Sequence, residues 1–224
     1  MSYFITGTDT DVGKTLISCA LLYGLASQGK RVAGFKPVAA GCDEDGQNDD
    51  AKALRAVSTV PLSYEQVNPY CLREAIAPHI AARNEGVIIE LPCILTAYRE
   101  IAGQADVVIV EGAGGFIVPL NDTQTSADLT KELDLPIIII VGMRLGCLNH
   151  ALLTVRALDD LGLKCAGWVA NVVDKDVTTL QENIEALRDR IVAPLLGVVP
   201  FMVEAEAKTA VQYLDLNLLG CDFK

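Results

Sequence analysis

A loop bracketed by two glycines limits the possible folds of this 224-residue chain more narrowly than any other part of the sequence. It reads Gly7-Thr-Asp-Thr-Asp-Val-Gly13-Lys14-Thr15 and connects an apolar segment at residues 3–6 with a helical one that begins at Lys14. Phosphate-binding loops occur in this context, because their backbone N–H groups and the positive end of the helix hold a polyphosphate. Lys14 would neutralise the phosphates, and the Thr15 hydroxyl would bind Mg²⁺. The alternative, a glycine turn with an incidental Lys-Thr pair, is disfavoured by about ten to one, so we predict that ATP or GTP binds here.

The spacing inside this loop departs from the simplest phosphate-loop pattern. Five residues separate Gly7 from Gly13 instead of four, and Thr8 stands where the shorter pattern has its first glycine. We therefore expect a longer or differently turned loop.

Short apolar segments alternate with helical ones along most of the chain. Predicted strands cover residues 3–6, 32–35, 107–110, 137–141, 167–170 and 197–199, and predicted helices cover residues 14–27, 91–102, 126–133, 148–161 and 178–191. Gly29, Gly103 and Gly162 follow three of these helices and suit a helix end. Strands that are apolar on both faces and alternate with helices indicate a parallel sheet covered on both sides. We predict an α/β fold of the P-loop NTPase type, a single domain over residues 1–224 with an acidic loop at 41–50 and an irregular excursion at 58–86.

Charge and hydropathy exclude several classes of partner. The chain has 18 Lys and Arg against 29 Asp and Glu, a net charge of −11, which disfavours binding to nucleic acid or to an anionic membrane. Its longest apolar stretch, residues 135–143, is far shorter than the roughly 20 residues that span a bilayer. No basic residue precedes Lys14, so no secretory or transit segment is expected. We therefore expect a cytoplasmic protein with no nucleic-acid or membrane partner.

Cysteine and histidine usage limits the metal and redox chemistry. The seven cysteines are odd in number and include no C-x-x-C pair, which argues against a disulfide framework and a zinc site. We expect small buried thiols at Cys19, Cys42, Cys71, Cys93, Cys147, Cys165 and Cys221. Only two histidines, His79 and His150, are present, so a metal would be bound by oxygen ligands, which favours Mg²⁺.

Two groups of acidic residues are candidates for binding that metal. Glu111 ends the apolar run at 107–110 and precedes the glycines of Gly112-Ala-Gly-Gly115, which allow the backbone to approach a ligand at the carboxyl edge of the sheet. We favour this interpretation over a surface turn by about four to one. In Asn48-Asp-Asp50, either Asp49 or Asp50 could instead be only a helix N-cap, and taken alone the capping role is favoured.

A second lysine follows the predicted strand at 32–35. Lys36 would lie at the same edge as the phosphate loop, because parallel strands end on the same side of a sheet. Lysines at strand ends are usually solvated, and we give that alternative about even odds. A polyphosphate beside an anionic acceptor would be the reason to keep a lysine here.

Nine motifs, spread over nearly the whole chain, resemble those of the dethiobiotin synthetase family. They are GTDTDVGKT, KPVAAG, NDDAKAL, VNPY, APHI, VEGAGG, LGCLNHALLT, GWVAN and APLLG. In that family five residues between the loop glycines are the normal spacing. The resemblance implies an ATP-dependent cyclo-ligase that joins 7,8-diaminopelargonic acid to CO₂ and gives dethiobiotin, ADP and phosphate. One substrate amine captures CO₂ as a carbamate, a carbamate oxygen attacks the γ-phosphate, and the second amine then attacks the mixed anhydride.

The resemblance also implies a role for individual residues. Lys36 and Lys14 would be catalytic, offsetting the repulsion between carbamate and triphosphate. Mg²⁺ would be held by Thr15, Asp50 and Glu111, which favours Asp50 over Asp49. The nucleotide would be bound by Asp11, Val12, Gly13, Lys14, Thr15, Leu16, Asp50, Glu111, Gly112, Ala113, Gly114, Asn171, Val172, Pro200, Phe201 and Met202, with Asn171 reading the adenine edge. The acceptor would be bound by Thr10, Lys36, Ala40, Gly146, Cys147, Leu148 and Asn149.

Two further implications concern the acceptor. Many relatives carry a hydroxyl or a longer polar side chain where this chain has Ala40, which implies one side-chain hydrogen bond fewer to the substrate. Relatives use the backbone amides of the 146–149 segment to hold the distant substrate carboxylate across a dimer interface, which suits a helix N-terminus. The resemblance therefore implies a homodimer with the substrate site at the interface.

Another class of protein begins with a similar loop. These are P-loop ATPase switches of the partitioning or iron-protein type, in which hydrolysis changes affinity for a partner instead of making a product. They commonly add a second lysine in the loop or metal-cluster cysteines, whereas this loop has Asp11 before Val12 and the chain has no paired cysteines. A glutamine-dependent ligase would need a glutaminase region for which the chain has no room, and the KPV and EGAGG motifs disfavour a small-acid kinase.

Overall fold

The computed structural model describes residues 2–219, so Cys221 and both limits of the predicted domain lie outside the described residues. The strands are β1 Tyr3–Gly7, β2 Val32–Phe35, β3 Val38–Ala40, β4 Tyr70–Leu72, β5 Val107–Glu111, β6 Ile137–Met143, β7 Cys165–Val172 and β8 Leu195–Val199. The helices are α1 Lys14–Ser27, α2 Asp49–Val57, α3 Tyr64–Val67, α4 Pro78–Glu85, α5 Leu91–Ala102, α6 Ser126–Leu133, α7 Cys147–Asp160, α8 Leu180–Arg188 and α9 Ala207–Ala210, followed by 3₁₀ turns at Val211–Tyr213 and Leu216–Leu218.

Six of the strands form one parallel sheet in the order β2-β5-β1-β6-β7-β8. Strands β1, β2, β5 and β6 are buried at every position, as expected for strands that are apolar on both faces and covered by helices on both sides. Because all six run the same way, the segments that follow them meet at one carboxyl edge. The predicted α/β class with a parallel sheet is confirmed.

The predicted elements agree closely with the structure inside this sheet. All six predicted strands are present, and three predicted helices coincide with α1, α5 and α6. Gly29 and Gly162 follow the helix C-caps with positive φ, and Gly103 is itself the C-cap of α5. The helix predicted at 178–191 is shorter, α8, because the chain turns after Arg188 toward Pro194 and β8.

The chain between β2 and α5 is more ordered than the sequence analysis predicted. A second, two-stranded parallel sheet pairs β3 with β4, and α4 packs against both of its strands, whereas α2 and α3 contact β2. The predicted acidic loop ends at Asn48, which caps α2, and the predicted irregular segment contains α3, β4 and α4. These elements are three to nine residues long, which is too short for hydrophobic periodicity to identify them.

The cysteine prediction is wrong in part. Cys42 and Cys71 form a disulfide, with 6.1 Å between their Cα atoms, that joins the segment just after β3 to β4. Cys93 is exposed and Cys165 half-buried, whereas Cys19 and Cys147 are buried as expected. An odd cysteine count argues against a framework of several bridges, but it leaves a single pair possible wherever the fold brings two cysteines side by side.

The longest apolar stretch forms the central strand β6, which is buried at every position. Across residues 2–219, no helix is long and apolar enough to cross a membrane.

Candidate active site

The phosphate loop connects β1 to α1 and takes two left-handed backbone conformations. Asp11 has φ 57° and Gly13, the N-cap of α1, has φ 85°. A Cβ on Gly13 would collide with the Asn171 amide nitrogen, which donates a hydrogen bond to the Val12 carbonyl at 2.8 Å. The loop therefore requires glycine at this position for two reasons, the backbone conformation and the space.

Gly13→Ala is expected to weaken ATP binding by about tenfold, because a left-handed conformation costs an L-residue roughly 1–2 kcal/mol and the added methyl group also displaces Asn171. The measurement is the ATP dissociation constant by titration calorimetry. Gly46→Ala is the matched control, since Gly46 has φ 72° in an exposed loop with open space around its Cα and no atom of the phosphate site nearby. Equal ATP affinity in Gly13→Ala and the unchanged protein would contradict this account.

Lys14 is nearly buried, and its ammonium donates to the Asp9 carbonyl at 2.9 Å inside the same loop. Burial, and then the nearby Lys36 charge, lower the pKa of Lys14 to about 8. A bound polyphosphate would favour the ammonium form, so nucleotide binding and protonation of Lys14 are coupled.

ATP affinity should consequently depend on pH. Lys14 is charged below about pH 8 in the free protein, so affinity should be highest there and fall by up to about tenfold per pH unit above it. Calorimetric titrations from about pH 7.5 to about pH 9.5 would show the decline. Lys14→Arg keeps its charge over this range and should give a flatter profile. A flat profile for the unchanged protein would show that Lys14 does not titrate on binding.

Three side-chain oxygens converge beside the start of α1. The Thr15 hydroxyl lies 2.7 Å from Asp50 Oδ1 and 2.9 Å from Glu111 Oε1, yet it has only one proton to donate. Glu111 is fully buried, and among the described residues its Oε2 has no hydrogen-bond partner. This set of hard oxygens, with a carboxylate oxygen left over, fits Mg²⁺. Within residues 2–219 no group of three or more His, Cys, Asp or Glu side chains is placed to hold a metal ion. Mg²⁺ keeps phosphate and water oxygens among its ligands, and these would complete the coordination.

Lys36 lies between the two carboxylates. Its ammonium is 2.7 Å from Glu111 Oε1 and 3.0 Å from Asp50 Oδ2, and it also donates to the Gly112 carbonyl at 3.3 Å. Burial alone would lower the pKa of Lys36, but Glu111 and then Asp50 outweigh it and hold that pKa above its usual value. Burial likewise opposes ionisation of Asp50, while Lys36 and the Thr15 hydroxyl hold its pKa below the usual value. Lys36 is thus buried and charged, and the alternative of a solvated lysine is wrong.

The capping alternative for the two aspartates is also wrong. Asn48 is the N-cap of α2, and its side-chain oxygen accepts from the Asp50 N–H at 3.0 Å. Asp49 is exposed and pairs with Lys52. Asp50 is therefore free to turn toward Thr15 and Lys36.

A cleft of about 1130 Å³ opens beside these groups. It gathers ten of the predicted site residues on its wall, Thr10, Asp11, Gly13, Lys14, Thr15, Lys36, Ala40, Asp50, Ala113 and Gly114. Glu111 lies beneath this wall, in contact with Thr15 and Lys36. Val12 is buried, and Leu16 and Gly112 are also absent from the lining.

The segments predicted to bind the base and the substrate carboxylate lie outside this cleft. Asn171 is buried at the end of β7 with its amide on the Val12 carbonyl, next to Val172, and Pro200, Phe201 and Met202 follow β8. The 146–149 segment starts α7, with Gly146 as N-cap at φ 93°, Cys147 buried, Leu148 half-buried and Asn149 exposed. Both groups lie at the carboxyl edge, but no cleft wall joins them to Lys36 within the described residues of this one chain.

Two asparagines support the site and were assigned no role from the sequence. Asn68 donates to the Lys36 carbonyl at 2.6 Å, and Asn48 donates to the Ala40 and Gly41 carbonyls at 3.3 and 3.2 Å. The Tyr64 hydroxyl connects them, donating to Asn68 Oδ1 and accepting from the Asn48 N–H. The sequence did contain a sign of this role: both asparagines belong to family motifs, Asn48 to NDDAKAL and Asn68 to VNPY, yet neither lies in a predicted strand or helix.

Comparison with known sequences identifies close relatives over the whole length. A family model described as an AAA domain matches residues 1–209. An ATP-dependent dethiobiotin synthetase BioD from Nitrosospira multiformis is 49% identical over 218 residues, covering 97% of this chain and 96% of the relative. Proteins of the same name from Cellvibrio japonicus and Aromatoleum aromaticum are 52% and 51% identical, covering 97% and 92% of this chain and 97% and 92% of their own lengths.

Solved structures with the same fold are more distant in sequence. A chain of the MinC:MinD cell division protein complex of Aquifex aeolicus aligns with a TM-score of 0.59 at 15% identity, covering 94% of this chain and 91% of its own. A ParA family ATPase from Chlorobium tepidum aligns with a TM-score of 0.56 at 14% identity, covering 97% and 92%. At such identities the likeness shows the fold alone, and it confirms the P-loop NTPase type.

The sequence relatives and the fold neighbours therefore differ in what they establish. The chain of the MinC:MinD complex and the ParA family ATPase share the arrangement of strands and helices, whereas the synthetases share about half of all residues over nearly their full length. The chain belongs to the family of ATP-dependent dethiobiotin synthetases.

Proposed function

We propose that the chain closes the ureido ring of dethiobiotin from 7,8-diaminopelargonic acid, CO₂ and ATP, with Mg²⁺, releasing ADP and phosphate. The names of its relatives support ATP-dependent dethiobiotin synthesis. The observation that carries the proposal is the Lys36 ammonium, buried between Asp50 and Glu111 beside Thr15 and the phosphate loop. A buried cation at this position suits a reaction in which two anions must meet.

The reaction proceeds in three chemical steps. One amine attacks CO₂, loses a proton and becomes a carbamate. A carbamate oxygen then attacks the γ-phosphorus, breaking its bond to the bridging oxygen, and ADP leaves. The second amine attacks the carbamoyl carbon and loses its proton, phosphate leaves, and the ring closes.

The charges of the site suit the second step best. Carbamate and triphosphate repel each other, and in a partly dry site this repulsion is larger than in water. Lys14 would neutralise the phosphates from the loop, while Lys36 would hold the carbamate oxygen against them. Bound to Thr15, Asp50 and Glu111, Mg²⁺ would neutralise phosphate charge.

The remaining site assignments are part of the same proposal. The nucleotide is assigned to Asp11, Val12, Gly13, Lys14, Thr15, Leu16, Asp50, Glu111, Gly112, Ala113, Gly114, Asn171, Val172, Pro200, Phe201 and Met202. The acceptor is assigned to Thr10, Lys36 and Ala40, with its distant carboxylate on the amides of Gly146, Cys147, Leu148 and Asn149. A cytoplasmic location and the absence of nucleic-acid and membrane partners stay predictions from the sequence.

We also propose a homodimer in which the 146–149 segment serves the partner's cleft. Two observations support it: this segment lies outside the cleft of its own chain, and the neighbouring Leu145 is almost fully exposed, at 98%. Sedimentation velocity should give a dimer, and a monomer at the concentrations that support turnover would contradict this part of the proposal.

The discriminating experiment uses purified protein with diaminopelargonate, ATP, Mg²⁺ and labelled bicarbonate. The expected result is label in a cyclic urea, with ADP formed in equal amount and only when diaminopelargonate is present. ATP hydrolysis that is independent of diaminopelargonate, with no labelled product, would instead favour the ATPase switch.

A further inference from the structure

Arg144 connects the phosphate loop, which follows β1, to β6, the neighbouring strand that pairs with β1. It follows β6 directly, and its guanidinium forms an ion pair with Asp9 Oδ2 in the loop. Its carbonyl accepts from the Cys147 N–H at 3.0 Å, in the first turn of α7. One residue therefore contacts both the nucleotide loop and the start of the helix assigned to the acceptor.

Asp9 is the part of the loop that this arginine holds. Its other carboxylate oxygen accepts from the Thr10 N–H at 2.8 Å, and its carbonyl accepts from the Lys14 ammonium at 2.9 Å. Asp9 also lines the cleft, with its side chain 43% exposed. An acidic side chain thus stands on the wall that receives a polyphosphate, next to the lysine that must neutralise it.

An unpaired carboxylate at this position would act against nucleotide binding. It would repel the phosphates, and, once released from Arg144, it could turn toward the Lys14 ammonium and compete with the ligand for that charge. The ion pair removes both effects, because Arg144 neutralises Asp9 from outside the loop while the Thr10 N–H fixes its orientation.

We propose that Arg144 is a positioning residue of the nucleotide site, which holds the Asp9 carboxylate away from the polyphosphate and from Lys14. The inference rests on the proposed function only in requiring a nucleotide at this loop. It assigns Arg144 no contact with the ligand, so its effect should depend entirely on the charge of Asp9.

The test is a double-mutant cycle on ATP binding, measured by calorimetry without acceptor. Arg144→Ala should weaken ATP binding by about tenfold. Asp9→Asn keeps an oxygen for the Thr10 N–H and removes the charge, so it should bind ATP about two- to threefold more tightly. In the double variant, Asp9→Asn should restore affinity to within about threefold of the unchanged protein. Arg144→Lys should lie between Arg144→Ala and the unchanged protein.

Arg156→Ala is the matched control. Arg156 also forms an ion pair with an aspartate, Asp160, but on the exposed face of α7. It should leave ATP affinity unchanged, and thermal unfolding of every variant would identify any loss of fold. Raising the salt concentration should narrow the gap between Arg144→Ala and the unchanged protein, since both partners are partly exposed and are screened.

Two outcomes would overturn the proposal. If the double variant binds ATP as weakly as Arg144→Ala, then Arg144 acts on the ligand directly or through the fold. If Arg156→Ala weakens ATP binding as much as Arg144→Ala does, then removing any arginine from this chain has that effect, and the ion pair with Asp9 has no special role. The ATP-binding measurements do not use diaminopelargonate. Failure to form labelled cyclic urea would therefore reject the proposed function, while the double-mutant cycle on Asp9 and Arg144 could still be interpreted.

Discussion

Replacing Lys36 with methionine should lower kcat by about 10²–10³-fold while ATP still binds. Methionine keeps the length of the lysine stem and removes the charge, so the packing around the buried side chain is preserved. The loss falls on turnover because the ammonium is needed where carbamate and γ-phosphate meet, whereas Lys14 and the loop amides remain to bind the nucleotide. Steady-state rates of labelled product, together with calorimetric ATP binding, separate the two quantities.

Although Lys36→Met should lower turnover, it should strengthen Mg²⁺ binding. Lys36 is paired with both proposed metal-binding carboxylates, Asp50 and Glu111, and is therefore a competing cation for them. Without it, Mg²⁺ should bind at least as tightly in the presence of a nucleotide, and Mg²⁺ should raise the unfolding temperature more than it does in the unchanged protein. Removing one partner of a buried ion pair costs about 3–5 kcal/mol of folding stability. The measurements are therefore made with Mg²⁺ present, so that the metal replaces Lys36 as the partner of the carboxylates.

Lys52→Met is the control for Lys36→Met. Lys52 is on α2, and its half-exposed side chain pairs with Asp43 and Asp49 outside the cleft. Its loss should leave turnover unchanged. Turnover that is normal in Lys36→Met would remove Lys36 from the mechanism and with it the observation on which the proposed function depends.

The residues that the sequence predicted best are those that follow strands of the main sheet. Lys14 and Thr15 follow β1, Lys36 follows β2, and Glu111 ends β5. These strands are recognisable as apolar runs, and parallel strands bring their carboxyl ends together whatever the strand order is. The convergence of Thr15, Lys36 and Glu111 could therefore be predicted from the positions of the residues alone.

Asp50 could not be predicted in the same way. It is carried by α2, outside the main sheet, and its position depends on the Asn48 cap and on the small sheet of β3 and β4. Three-residue strands and a nine-residue helix leave little periodicity in the sequence, so only the resemblance distinguished Asp50 from Asp49. The disulfide between Cys42 and Cys71 was missed for the same reason, since it joins β4 to the segment just after β3.

Asn171 shows a different limit of sequence reasoning. Its position at the end of β7 was predicted, but a pattern cannot show which of several polar groups an amide will contact. In the structure the amide nitrogen donates to the Val12 carbonyl and limits the space beside Gly13. The adenine-reading role assigned from the resemblance stays a prediction, and nearly equal use of ATP, GTP and CTP would contradict it.

Glu111→Gln should raise the Mg²⁺ concentration needed for half-maximal activity by about 10²-fold, because it removes one of two carboxylate charges from the proposed metal site. Glutamine has the shape of glutamate, and its oxygen can still accept from Lys36 and Thr15. Its amide group, however, would place a donor where Glu111 has an unpartnered buried oxygen, which is the atom that we assign to the metal. The measurement is activity as a function of Mg²⁺, repeated with Mn²⁺ so that metal binding can also be followed by electron paramagnetic resonance.

The control and the consequence for Lys36 make this prediction specific to the metal. Glu100→Gln changes an exposed glutamate on α5 and should leave the Mg²⁺ dependence as it was. In Glu111→Gln, Lys36 loses the stronger of its two charge partners, so its burial should lower its pKa. Loss of the Lys36 charge should then make the turnover of this variant fall at high pH. In the unchanged protein the raised pKa keeps Lys36 charged, so Lys36 causes no such fall. A variant with unchanged Mg²⁺ dependence and an unchanged pH profile would show that Glu111 neither binds the metal nor keeps Lys36 charged. The convergence of the Thr15, Asp50 and Glu111 oxygens beside α1 would then need another explanation.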